Sequence, residues 1–215
     1  MKQSLTPYVL TIGPIIAFLG FMLFPVGDDV YGQEYLNELE AADPNMVSLA
    51  TMFIVIGIIS IIGSFFLLSQ DMMSNVGKTQ QDMLMLARVA FVVPLVCFTI
   101  GAGAQAEAYW LLTEDTEGMT ADEADDLAMD LHRISNHIWG AMPIGLGFAL
   151  ALAGTAGLMG KDLAPNANTF GFGFPLIIGI GLLTVFWTEA WIFFFVAMFA
   201  GMPLGIMMLM KKLEI

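Results

Sequence analysis

Charge is scarce in this chain. Only 13% of its 215 residues are charged, and only 7 are Lys or Arg. A soluble domain carries about a quarter charged residues, so this composition excludes an ordinary soluble fold. The scarcity of basic residues and the net charge of −13 exclude a nucleic-acid partner and a basic surface seeking lipid headgroups. The single cysteine, Cys97, excludes an intrachain disulfide; lying in an apolar stretch, it says nothing of the redox compartment. The 2 histidines, His132 and His137, share one segment, which excludes a haem clamped by histidines from two spans. Five residues on a helix turn two side chains about 140° apart, so the pair does not easily hold one metal ion. Also missing are a G-x-S-x-G elbow, a phosphate loop, H-E-x-x-H, an EF-hand spacing and a G-x-G-x-x-G opening a polar helix.

What is abundant is apolar sequence, at 58% hydrophobic residues. Uncharged stretches of about twenty residues are the signature of spanning helices. They predict one membrane domain over residues 1–215, an all-α bundle of six spans at 8–26, 47–68, 83–104, 138–159, 170–186 and 191–210. The opening MKQSLTPYVL has no small-residue cleavage site before Gly27 and reads as a retained first helix. A continuous helix from Phe170 to Met210 would be about 60 Å long, twice a hydrocarbon core, so a tight reversal is expected at Glu189.

Two longer connections, 27–46 and 105–137, carry most of the polar residues. The first contains a short amphipathic helix over Gln33–Ala42 with Tyr35, Leu36 and Leu39 on one side, followed by Asp43 and Pro44 as N-cap and first helical residue of the next span. In the second, Thr120 and Glu123 have capping-box spacing, and Asp122, Glu123, Asp125 and Asp126 favour a helix N-terminus. Leu127, Leu131, Ile134 and Ile138 then recur as a helical stripe that runs, without an evident break, into the fourth span. That span is rich in small residues. Ala141, Gly145, Ala149, Ala153 and Gly157 lie four apart, with Gly147, Ala151 and Gly154 on a neighbouring ridge. Such ridges let helix backbones approach closely in lipid, which places this helix at the centre of the bundle. Gly201 and Gly205 offer the last span a similar face, weakened by Pro203.

Basic residues set orientation. With both termini in the cytoplasm, Lys2, Lys78, Arg88, Lys161, Lys211 and Lys212 fall on the inner side and only Arg133 on the outer. Two acid groups, Asp28, Asp29, Glu34, Glu38, Glu40 and Asp43, and Glu107, Glu114, Asp115, Glu117, Asp122, Glu123, Asp125, Asp126 and Asp130, then lie outside. Trp110, Trp139, Trp187 and Trp191 map to the outer interface as half of an aromatic belt, while Arg88, Lys211 and Lys212 anchor the inner one.

Everything with chemical potential therefore gathers at the outer face. Carboxylates there suit divalent cations, but charge blocks are usually solvated faces, and that plainer reading is preferred. Glu107, His132, His137 and Glu189 are the candidate ligand-binding residues. Glu189 stands out because a carboxylate sunk below the headgroups is costly; at a water-reaching turn it is only a polar turn residue. Interfacial histidines bonded to backbone or carboxylates are the plainer reading of His132 and His137. The 17 methionines read as flexible packing residues rather than soft-metal ligands.

No charged residue lies in the middle of a span, although permeation and proton relays generally need one. The expectation is therefore a non-enzymatic accessory, scaffolding or ligand-sensing membrane protein, with the lipid bilayer and other membrane subunits or a second copy as partners. The alternatives are a transporter or channel for a cation or small solute gated at the outer face, and a metal- or redox-dependent membrane enzyme using the same residues. No catalytic residue, metal site or cofactor is assigned. No motif ties the chain to a known family, and no internal repeat relates its halves.

Overall fold

Helix ends follow local chemistry throughout the computed structural model, which describes residues 5–27, 31–74, 76–114, 118–159, 174–187 and 191–210. Among these residues the chain is entirely helical and turn, with no strand. Helix α1 (Thr6–Leu23) has Pro7 in its first turn and ends where Phe24 turns extended ahead of Pro25, a conformation that a following proline favours. The short α2 (Gln33–Ala41) buries Leu36 and Leu39, as its amphipathic pattern requires. The long α3 (Pro44–Met73) is capped by the Asp43 side chain, which accepts from Asn45 N at 2.9 Å. Helix α4 (Lys78–Thr113) is 36 residues, about 54 Å, long enough to project well beyond a hydrocarbon core. Both arms of the Thr120–Glu123 capping box form at the start of α5 (Ala121–Trp139). Four further helices follow: α6 (Met142–Met159), α7 (Phe174–Phe186), α8 (Trp191–Phe199) and α9 (Met202–Leu209).

Among the described residues, four stretches are long and apolar enough to cross a membrane: α1, α3, α4 and the α5–α6 stretch, whose apolar part is α6. Residues 176–186 and 195–209 form shorter apolar helices. The expected reversal at Glu189 lies outside the described residues, as do Lys211 and Lys212. Large apolar side chains face outward along these helices. On α1, Ile12, Ile15, Phe18, Leu19 and Met22 are exposed; on α4, Leu86, Val89, Val92, Val93, Val96 and Ile100. Apolar patches this continuous mark a surface meant for lipid or for another protein.

The fourth span does not continue unbroken from the polar helix before it. The chain turns at Gly140–Ala141, with Ala141 N donating to Ile138 O at 3.1 Å in a tighter turn. The reason is Pro143, which has no N–H to continue the helical ladder and whose ring crowds the carbonyl four residues earlier. The stripe Leu127, Leu131, Ile134 and Ile138 is helical, yet it does not mark the buried face of α5. Leu127 and Ile134 are exposed, whereas Ala124, Ala128, His132 and Ser135 are buried. Small residues win that face because α4 comes close, with Ala108 and Leu111 buried opposite and Ser135 Oγ donating to Gly101 O at 3.0 Å.

Close approach also governs the apolar bundle, whose main core joins residues of α1, α3, α4, α6, α7, α8 and α9. Gly57 of α3 sits directly on the Ala17 backbone of α1. Gly145 faces Pro94 and Val93 of α4, while Gly147 lies against Gly181 of α7, so the small ridges of α6 serve two neighbours. Ala149 and Ala153 are buried beside them, as is Gly157. Gly205 and Gly201 set α9 against Leu10 of α1. The last span is nonetheless broken at Ala200–Gly201, just ahead of Pro203, for the same reason as at Pro143.

Candidate ligand cavity

At the end of the bundle that carries α2 and α5, the helices line a half-open cavity of about 520 Å³. Phe21 lines it from α1 and Phe24 from just beyond that helix, Tyr35 and Leu39 from α2, Val47, Ile54 and Val55 from α3, and Phe98, Ala102 and Tyr109 from α4. His132, Asn136 and Trp139 contribute from α5, and Phe195 from α8, where its ring meets Phe21 edge-on at 5.2 Å. Local sequence explains the arrangement. Leu36 and Leu39 dock α2 onto the helices below, which leaves the Tyr35 ring on the cavity wall. The small face of α5 brings His132 toward α4.

His132 is the polar centre of this wall and is only 7% exposed. Its imidazole stacks on the Tyr35 ring with centroids 4.6 Å apart. Nδ1 lies 3.0 Å from Gln105 Oε1, and Nε2 lies 3.0 Å from Asn136 Nδ2. With the amides placed this way, Asn136 donates to Nε2 and Nδ1–H donates to Gln105; Gln105 Nε2 then donates to Tyr35 Oη at 3.5 Å. His132 lies on the polar arm ahead of α6, and burial lowers its pKa, so the ring is neutral at pH 7. Burial also pushes the Tyr35 phenol up to about 12, which keeps it protonated. Tyr109 Oη is buried and makes no hydrogen bond to any described residue.

The other candidate residues go elsewhere. His137 is exposed and bonds through Nδ1 to Arg133 O at 2.6 Å, a contact within its own helix. Glu107 is exposed on α4 and is not part of the cavity wall. Glu189 lies outside the described residues. Among the described residues no group of three His, Cys, Asp or Glu side chains could hold a metal ion. Trp139 is drawn inward and donates through Nε1 to Phe98 O at 3.5 Å, while Trp110 and Trp187 are exposed; the Trp191 side chain is outside the described set. Arg88 lies 4.3 Å over the Phe66 ring with Nη1 3.6 Å from Met73 Sδ, a half-buried position three turns into α4.

Sequence reasoning reached His132 and missed Tyr35, Gln105, Tyr109 and Asn136 as its company. Asn136 carried a usable signal, since four residues on a helix place it on the same face as His132. Tyr35 and Gln105 are 70 residues apart, and no local pattern pairs them. Comparisons with protein families, with curated proteins and with solved structures found no match for this chain.

Proposed function

We propose that the chain is a multi-pass membrane protein that binds a small, mainly apolar molecule between α1, α2, α3, α4 and α5, and senses or presents that molecule without transforming it. The observation carrying this reading is the cavity of about 520 Å³. Small-molecule pockets usually fall at roughly 300–1,000 Å³ and join apolar walls to a few placed polar groups. Its described lining includes no carboxylate, amine, guanidinium or thiol, the groups that most often act as nucleophiles or acid–base catalysts beside histidine.

Native mass spectrometry of protein extracted gently from its own membrane tests the reading. A discrete small mass above the bare chain is expected, absent from Ala102→Phe, which fills the cavity, and the released molecule should be chemically unaltered. A second polypeptide with nothing small bound would make the chain a subunit instead and overturn the proposal.

In this reading the six apolar segments are six spans, with both termini in the cytoplasm and the cavity toward the outer face. The one-sided placement of the basic residues supports it. With Cys97 replaced by Ala, Asp125→Cys should react with a membrane-impermeant maleimide on intact cells, and Thr79→Cys only after permeabilisation. The reverse pattern would invert the topology.

A further inference from the structure

We propose that Arg88 binds the phosphate of an anionic phospholipid in the groove between α3 and α4, at the end of the bundle opposite the cavity. The proposal needs the membrane placement of these two helices and is independent of any cavity ligand.

Arg88 is a cation set among apolar residues. Its guanidinium lies 4.3 Å over the Phe66 ring of α3, and Nη1 donates to Met73 Sδ at 3.6 Å. An aromatic face and a thioether are weak partners for a positive charge. Nε is buried without a hydrogen bond. Nη2 is the nitrogen left over: it has no partner among the described residues and is not fully buried. Neither described acid at this end of α3 and α4 supplies the missing charge. Asp71 accepts from Thr6 Oγ1 at 2.6 Å, Asp82 pairs with Lys78 at 2.8 Å, and neither forms an ion pair with Arg88. A half-buried cation without a counter-ion is unfavourable beside hydrocarbon.

Position names the source of the counter-ion. On α4, Met85, Val89 and Val92 neighbour Arg88 and are all exposed, a surface suited to acyl chains. Phe66 and Met73 are about two turns apart at the end of α3, so the guanidinium lies along the last turns of that helix. Gln70 and Asp71 on α3 and Asp82 on α4 mark where both helices turn polar, the level at which headgroups begin. The Arg88 side chain thus runs toward the start of its own helix and toward the membrane boundary, as an anchoring arginine does. At that depth, beside acyl chains, the anion at hand is lipid phosphate. A headgroup of net charge minus one matches the single guanidinium, whereas phosphatidylcholine carries its own ammonium, which competes for the phosphate.

The test is native mass spectrometry of the full chain in detergent, titrated with dioleoyl phosphatidylglycerol and dioleoyl phosphatidylcholine. The first complex with phosphatidylglycerol should form at least about fivefold more readily. Arg88→Gln should abolish this preference, and Arg88→Lys, which keeps the positive charge, should restore at least half of it. Lys78→Gln, which removes an exposed charge at the same end, should leave it nearly intact. A large excess of glycerol 3-phosphate should not displace the lipid. Equal retention of the two lipids by the parent chain would overturn the proposal, whatever the variants do, and leave Arg88 an arginine that reaches water alone. So would a preference that survives Arg88→Gln, a lysine variant no better than the glutamine one, or a loss in Lys78→Gln as large as in Arg88→Gln. Displacement by glycerol 3-phosphate would make the site one for soluble phosphates and overturn the lipid assignment.

Discussion

Replacing Gly57 with leucine is expected to drive α1 off α3 and to cost most of the folded protein. A Cβ at this position would already collide with the Ala17 backbone, and backbone has nowhere to move without displacing the whole of α1. The same contact line continues at Gly20, where a Cβ would fall 2.6 Å from Ile54 N and 3.0 Å from Ala50 O. Overpacking a core costs about 1–3 kcal/mol even where side chains can yield. Here they cannot, so about 3 kcal/mol or more is expected. The readout is the yield of monodisperse protein after detergent extraction and its melting temperature. Gly63→Ala and Gly103→Ala are the controls, because a Cβ there meets nothing within 4 Å and only the modest helix preference for alanine acts. Equal behaviour of Gly57→Leu and the controls would mean that α1 and α3 do not cross as described.

The second large effect is expected at Gly101, and it should fall on the cavity rather than on the whole bundle. The Trp139 indole lies flush on Gly101, with Cδ1 only 2.6 Å from where a Cβ would be. Gly101→Leu must therefore expel the indole and strain the neighbouring Ser135–Gly101 hydrogen bond that fastens α5 to α4. Since Trp139 and His132 line the cavity from α5, their displacement should weaken binding of a cavity ligand at least tenfold. Neither Gly101 nor Trp139 takes part in the close glycine contacts of α1 with α3 or of α6 with α7, so the purified protein should keep its helical circular dichroism. Tryptophan emission should shift to the red relative to the parent chain. Unchanged emission and unchanged binding together would show that Trp139 does not pack on α4.

These two glycines also show how far the sequence could be read. Features carried by a few neighbouring residues were legible: the Asp43 cap, the Thr120–Glu123 box, the α2 face of Leu36 and Leu39, and the small ridges around Gly145 and Gly147. Gly13, Ala17 and Gly20 follow one another at steps of four and three, a comparable ridge, and it meets Gly57 and Ser60 of α3, small residues three apart in a run otherwise of bulky Ile and Phe. Helix breaks at Gly140 and Ala200 were written in Pro143 and Pro203, prolines placed in the first turn of the helix that follows each break. The cavity was least legible, because its polar wall joins α2, α4 and α5, and contacts across such separations leave no period in the sequence. Charge drew attention to Glu107 and His137, whereas the polar wall of the cavity is made of neutral amides and phenols whose significance appears only once α5 turns its small face inward.

The α1–α3 crossing has a thermal consequence. In a bilayer, the surfaces that meet at Gly57 and Ala17 displace acyl chains rather than water, so closing them dehydrates almost nothing. Heat capacity on folding comes mainly from apolar dehydration. A contact of this kind therefore adds little curvature to the stability curve. Its strength should stay nearly level on cooling, where associations driven by the release of water weaken.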